Sequence, residues 1–240
     1  KVRGPKKTIS LRANKIGSEC FRLWKACDAQ VGDDFHINPE EIEKRYFGVL
    51  TKMFNVARFA SMFPTPDDLD TMPDDLAIED RWILSEFAKM MTIVEKAWSD
   101  IDIYRATQAI KTFATGILPS HWLEMAKSRL YADDVGAAWT IHRIVRDLMS
   151  AFSPICPFFS HHISSTLYNA SAVDARSFPE ILTIEGDLTE LSDSLKEFNS
   201  MVWKAKKDKG LSLKSEVEGI TIPSNLEDFT NILTAMHHLE

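Results

Sequence analysis

Along most of this chain apolar side chains recur three and four residues apart, the spacing of helices that each bury one face. In Arg45-Tyr-Phe-Gly-Val-Leu-Thr-Lys-Met-Phe-Asn-Val-Ala-Arg-Phe59 this places Tyr46, Phe47, Leu50, Met53, Phe54 and Ala57 on one side, the expected core face. The other side carries Arg45, Gly48, Lys52, Asn55 and Phe59, so a cation, an amide and a ring project together at helical spacing. Such a face can grip a splayed nucleotide: the ring stacks the base, the amide reads its edge and the cation takes the phosphate. The plainer alternative is that Phe59 and nearby Phe63 pack under the following loop while the polar groups are solvated.

The remaining elements follow in order. A helix is expected from about Ser18 to Gln30, with Phe21, Trp24 and Cys27 or Cys20 inward and Gly32 as its stop. Asn38-Pro-Glu-Glu41 reads as the start of the next one, with Asn38 as N-cap, Pro39 at the first position and Glu41 completing a capping box. Residues 64–77, with Pro64, Pro66 and Pro73 among acids, form an exposed connection. Ile78, Trp82, Ile83, Phe87, Met90, Met91, Val94 and Trp98 then mark a long helix. Another runs from Ile103, kinks or breaks near Gly116 and Pro119, and resumes over His121–Tyr131. Helices over about 135–152 and up to Tyr168 follow, and Leu188 to Ala205 makes one more, stopped by Gly210. Val217-Glu-Gly-Ile-Thr-Ile222 alternates weakly, as a strand does. The fold class is therefore mainly α: an antiparallel bundle of five or six helices over 16–185, then a small α/β appendage over 186–240.

Composition narrows the function classes. The 240 residues are 45% hydrophobic and 26% charged, which suits a globular protein, and no apolar run is long enough to span a bilayer. Three cysteines, Cys20, Cys27 and Cys156, form an odd set without metal-ligand spacing, so reduced thiols and a cytoplasmic setting are expected. The adjacent pairs His161-His162 and His237-His238 point about 100° apart on a helix and make poor metal sites. No metal ligand and no catalytic residue is assigned, because no Gly-rich phosphate loop, Cys-x-x-Cys pair or nucleophile elbow is present. A net charge of −7 argues against general binding of nucleic acid. Its distribution softens that objection: residues 1–25 hold eight basic side chains against the single acid Glu19, whereas 67–80 hold seven acids.

Several stretches resemble one family. Lys52-Met-Phe-Asn-Val-Ala-Arg-Phe59 is similar to the Lys-Leu-Trp-Asn-x-x-Arg-Phe signature that opens the helical anticodon-binding domain of class I valyl-, isoleucyl- and leucyl-tRNA synthetases. Cys20-Phe-Arg-Leu-Trp-Lys-Ala26 resembles the segment joining their catalytic core to that domain, and Asp80-Arg-Trp-Ile-Leu84 resembles a helix within it. His121-Trp-Leu-Glu-Met-Ala-Lys-Ser-Arg-Leu-Tyr131 is similar to the Tyr-x-Glu-x-x-Lys-x-Arg-Leu-Tyr run of the valyl branch, where the isoleucyl branch tends to be arginine-rich. Ser153-Pro-Ile-Cys-Pro-Phe-Phe159 resembles the family's Ala-Pro-Phe-x-Pro-Phe turn, although Ser160-His161-His162 stand where Thr-Glu-Glu is usual. Lys207-Asp-Lys-Gly-Leu-Ser-Leu-Lys214 resembles part of the C-terminal appendage of archaeal-type valyl enzymes. Lys1-Val-Arg-Gly4 resembles the end of the Lys-Met-Ser-Lys-Ser loop, with Val2 in place of a serine, so residues 1–15 are expected to be a basic connector after the catalytic core.

The resemblance implies the anticodon-binding region of a valyl-type synthetase, with Asn55 and Phe59 against the anticodon and Lys52 and Arg45 as cationic contacts. It implies tRNA, through its anticodon stem-loop, and the catalytic domain of the same enzyme as partners, and ATP with magnesium for the full-length enzyme. The His-x-Gly-His signature of the catalytic half is missing from these residues, so the expectation is a truncated piece or stand-alone relative without activating activity. An isoleucyl-type region and a non-catalytic protein-interaction domain are the alternatives.

Overall fold

A computed structural model describes residues 17–28, 38–170 and 177–239. The expectations for the basic connector, for Gly32 and for the connection up to Ile37 lie outside the described residues. Helix α1 (Ser18–Asp28) buries Cys20, Leu23, Trp24 and Cys27 at helical spacing, so both cysteines face inward while Phe21 is only half-buried. Burial pushes the Cys27 thiol up to about 11, which leaves it an inert packing group.

Helix α2 (Pro39–Ala60) begins at Asn38 as expected, but without the capping box. The Asn38 side chain makes no cap bond to the backbone; its Nδ2 donates to Glu41 Oε2 at 3.4 Å, and the helix starts from Pro39 and the Asn38 carbonyl, which accepts from the Ile42 N–H at 3.0 Å. The core face is also rotated from its expected position. Ile42, Tyr46, Leu50, Met53, Val56, Ala57 and Ala60 are buried, whereas Phe47 is 63% and Phe54 40% exposed. Neighbouring helices pack against α2 from the flank of Val56 and Ala60, and a helical apolar stripe does not itself say which of its edges they will cover.

Residues 61–77 connect to α3 (Ile78–Ser99). The connection is exposed but stitched down: Trp139 Nε1 donates to the Asp68 carbonyl at 3.1 Å, Arg143 Nη1 to the Leu69 carbonyl at 2.9 Å, and Arg146 Nη2 to Asp70 Oδ1 at 2.7 Å. Of the seven acids in 67–80, Asp70, Glu79 and Asp80 are ion-paired, so this run is less of an RNA-repelling face than its composition suggests.

Helix α4 (Ile103–Thr112) is capped by Asp102, which accepts from the Arg105 N–H at 2.9 Å. Of the kink or break expected near Gly116 and Pro119, the break does not occur. Instead α4 runs into a π-helical segment (Phe113–Trp122) and then α5 (Leu123–Leu130), so the proline lies in wider turns and helix continues on both sides of it. Helix α6 (Val135–Phe152) is capped by Asp134, and α7 (Pro157–Tyr168) ends at Asn169 in the left-handed conformation.

Past residue 186 the helical part of the expectation holds and the strand does not. Helix α8 (Ser192–Asp208), a 3-10 turn (Ser224–Phe229) and α9 (Thr230–His237) are the regular elements. Among the described residues there is no strand: Val217 makes one isolated parallel bridge with Leu239. A single alternating segment has no second strand to complete a ladder, so it does not become one. Trp82 Nε1 donates to Ser192 Oγ at 2.9 Å, and that hydroxyl donates to Glu86 at 2.6 Å, tying α8 to the bundle.

Among the polar clusters inside the described part of the molecule, two tie its helices together. The Arg129 guanidinium on α5 meets Glu79 at 2.8 Å, Asp80 at 2.7 Å and Asp134 at 2.9 Å, joining α3, α5 and the start of α6. Burial pushes the Asp80 carboxyl up to about 6, which still leaves it ionised at neutral pH beside Arg129. In the second cluster, buried Lys206 donates to the carbonyls of Leu213 and His237, while His237 Nε2 and His121 Nδ1 lie 2.8 and 3.1 Å from the two ends of the Asn199 amide.

Candidate nucleic-acid interface

Helix α2 and the π-helical rod run side by side, and an open groove of about 330 Å³ lies between them. One wall is Lys52, Asn55, Val56 and Phe59 of α2. The facing wall is Thr115, Pro119 and Ser120 of the π-helical segment, continued by Leu123, Glu124 and Lys127 of α5. Three of the four residues singled out in the sequence therefore share one site. Their common placement follows from their spacing of three and four on a straight helix whose opposite face is buried.

Arg45 is not part of this groove. It is seven residues upstream of Lys52, about 10 Å along the helix, where it lies 3.6 Å from Asp28 and over the Tyr46 ring. Its exposed ion pair is a weak restraint on so long a side chain.

The far end of the groove is closed by rings. Phe59 meets Phe63 edge-on at 5.0 Å between centroids, and Tyr131 lies 6.1 Å from Phe59 and 5.6 Å from Phe63. Phe63 is buried and Phe59 half-buried. The Phe63 backbone is itself fixed, since its carbonyl lies 3.2 Å from the Nε2 of buried His142, whose Nδ1 lies 3.2 Å from the Tyr168 hydroxyl. Burial holds the His142 pKa below its usual value, which keeps the ring neutral with one nitrogen free to donate to Phe63. Phe59 is thus both a packed ring, as the plainer alternative supposes, and a wall of the groove.

The polar groups of the groove differ from those of the interior. Lys127 is paired with Glu124 one turn away on the same helix, as the sequence spacing implies. Among the described residues, the Lys52 ammonium and the Asn55 amide have no side-chain hydrogen bond or ion pair. An exposed amide offering two donors and an acceptor, beside a free cation and a half-buried ring, can take a flat heteroaromatic group and an adjoining anion.

The anticodon-binding domain of tRNA ligase, as a family model, matches residues 80–221. The chain belongs to this family. Among similar proteins is the valine--tRNA ligase of Saccharolobus solfataricus, 32% identical over 209 residues, which cover 86% of this chain and 24% of the relative. The valine--tRNA ligase of Aeropyrum pernix is 30% identical over 238 residues, 93% of this chain and 28% of the relative, and that of Methanopyrus kandleri is 31% identical over 235 residues, 91% and 25%. The chain spans about a quarter of the length of these relatives. Among solved structures, a LeuRS of Agrobacterium radiobacter, in a ternary complex with tRNA and LeuAMS, superposes with a TM-score of 0.58 at 15% identity, covering 75% of this chain and 22% of that one, which shows a shared fold.

Both walls of the groove lie within stretches that these comparisons match. The π-helical segment and α5 lie inside the matched stretch of the anticodon-binding family, and a match over 93% of the chain necessarily includes α2. From the sequence, Glu124 and Lys127 of the facing wall read as a helix-surface ion pair, which they form, and not as part of a binding face. Its signal was present: Glu124, Lys127 and Tyr131 are three and four apart, one face of one helix. What the spacing lacked was the knowledge that this face turns toward Asn55.

Among the described residues no group of three or more His, Cys, Asp or Glu is placed to hold a metal. No helix among them is long and apolar enough to cross a membrane.

Proposed function

We propose that this chain is the anticodon-binding region of a valine–tRNA ligase, a cytoplasmic enzyme that attaches valine to its tRNA at the expense of ATP. The observation that carries this reading is the groove between α2 and the π-helical rod, in which Lys52, Asn55 and Phe59 present a cation, an amide and a ring with polar capacity to spare. The relatives named above are valine–tRNA ligases, which supports valine over isoleucine. Phe59 stacks one anticodon base, Asn55 hydrogen-bonds its edge, and Lys52 neutralises the neighbouring phosphate. Arg45, further along the same helix and exposed, serves the RNA backbone beyond the groove. The partners are the tRNA, through its anticodon stem-loop, and the catalytic part of the same protein. ATP and its magnesium ion act in that part.

A titration of the chain with valine tRNA, in parallel with a copy altered only in the anticodon, tests the reading. Tighter binding of the unaltered tRNA is expected, with an affinity that falls as salt is raised. Equal affinity for the two RNAs, or none for either, would overturn it. Pyrophosphate exchange dependent on valine should be absent from the isolated chain.

A second reading, a protein-interaction domain, has one observation of its own. Phe47 of α2 and Phe158 of α7 are largely exposed, 63% and 71%. The same titration separates it, since a protein-binding scaffold has no preference between the two RNAs.

A further inference from the structure

We infer that Tyr131 is a second stacking platform, which takes the nucleotide adjoining the one held in the groove; this rests on the RNA-binding reading of that groove.

The two walls run in register. On α2 the residues facing the groove are Lys52, Asn55 and Phe59, and on α5 they are Glu124 and Lys127. Four residues beyond Phe59 and Lys127 stand Phe63, in the turn that follows α2, and Tyr131, at the C-cap of α5. Phe63 is buried and can offer nothing to a ligand. Tyr131 is 62% exposed.

Tyr131 is exposed without being loose. Its backbone closes the last turn of α5, with its N–H donating to the Lys127 carbonyl at 3.1 Å, and its ring stands 86° to Phe59 and 70° to Phe63. Phe59 and Tyr131 therefore make two nearly perpendicular walls sharing one corner. A base lying flat on either ring meets the edge of the other, which is the favoured arrangement for aromatic groups. A ring so open to water contributes little to the core, yet its orientation is fixed by two aromatic neighbours, one of which is anchored through His142. That combination lowers the entropy lost when a base settles on it.

The chemistry also separates Tyr131 from Asn55. Every base has a π-face, so stacking on a ring is tolerant of sequence, while an amide reading a base edge is not. Tyr131 should hold the strand in place and leave the identity of the anticodon to Asn55.

The test uses the full chain and an RNA hairpin carrying the anticodon stem and loop of a valine tRNA, with 2-aminopurine substituted at one loop position at a time. Tyr131→Ala and Tyr131→Leu are expected to weaken binding of the hairpin about tenfold. The loss should be the same for hairpins with altered anticodons, and the bound-state quenching of one 2-aminopurine, beside the position sensitive to Asn55→Ala, should be relieved. Tyr131→Phe keeps the ring and should bind like the parent chain with quenching intact. Tyr131→Leu preserves apolar contact with Phe63 and separates packing from stacking. Unchanged binding by Tyr131→Ala while Phe59→Ala and Asn55→Ala are weakened would overturn the inference and leave the groove reading standing. Weakening by Tyr131→Phe as large as by Tyr131→Ala would overturn it too, because the hydroxyl and not the ring would be responsible. No effect from any of the variants would fell the groove reading and this inference with it.

Discussion

The buried cluster around Arg129 and the groove beside Lys127, two residues earlier on α5, behave in opposite ways. Arg129 is mostly buried and meets three carboxylates, whereas Lys127 faces the groove, and across from it Lys52 and Asn55 have no side-chain partner among the described residues. Glu79 and Asp80 are buried in a helical bundle with Arg129 lying against both, and these ion pairs join α3 to α5. The groove keeps its capacity in reserve. A buried polar group without a partner is costly and rare, but an exposed one is free to wait for a ligand. Saturated polar clusters therefore describe how the bundle is built, and the unsaturated face describes what it meets.

The largest expected effect lies on the saturated side. Arg129→Met leaves Glu79 and Asp80 buried without a cation and should lower the stability by about 3–5 kcal/mol in urea unfolding. Little or no loss would mean that the cluster is not the clamp described here, and would erase the contrast with the groove.

A second effect on the same side depends on pH. Burial, with help from the charge of Lys206 and of His238, pushes His237 down to about 4 from its usual 6.5. The unfolded chain thus binds a proton in that interval that the folded chain refuses, so stability rises with pH there and falls on acidification. The loss between pH 6.5 and 4 is up to about 3 kcal/mol from this one ring, with His121, whose pKa burial also lowers, adding in the same direction. Thermal melts of the chain and of His237→Gln at the two pH values check it: the variant should lose less on acidification.

On the groove side the effects should appear in binding. Phe59→Ala should cost about 1–3 kcal/mol of tRNA affinity, the range for one base stack, together with some melting temperature, because the ring also packs on Phe63. If only the melting temperature moves, Phe59 is a core residue and the plainer reading wins. Asn55→Ala should relax discrimination at one anticodon position with little change in stability, and Lys52→Ala should weaken all RNAs alike and flatten the salt dependence. The smallest effect belongs to Lys127→Ala as a stability change. Its exposed pair with Glu124 stabilises the helix by about 0.2–0.5 kcal/mol, and a much larger loss would show that the groove wall is less open than its geometry suggests.

Much of the architecture was legible along the chain. Helical periodicity located α2, α3, α6 and α8, and glycine and proline placed most of their ends, because an amphipathic helix needs only its own sequence to define its buried stripe. The spacing of Lys52, Asn55 and Phe59 placed them on one face for the same local reason. Other features depended on partners distant in sequence. Phe47 and Phe54 lie outside the core because the neighbouring helices approach α2 from its Val56 side, which no property of 45–59 encodes. The acids Glu79 and Asp80 became interior groups because Arg129, 50 residues from Glu79, reaches them. Pro119 sits within a π-helical segment and does not end the helix, and 217–222 form no strand among the described residues, Val217 making one isolated bridge with Leu239. The sequence by itself determined the helices, their exposed and apolar sides, and the chemistry available on α2. The tertiary structure alone decided which apolar edge was covered, which charges were paired, and that the Asn55 face would look across a groove at Lys127 and end at Tyr131, because those outcomes rest on contacts between segments far apart in the chain.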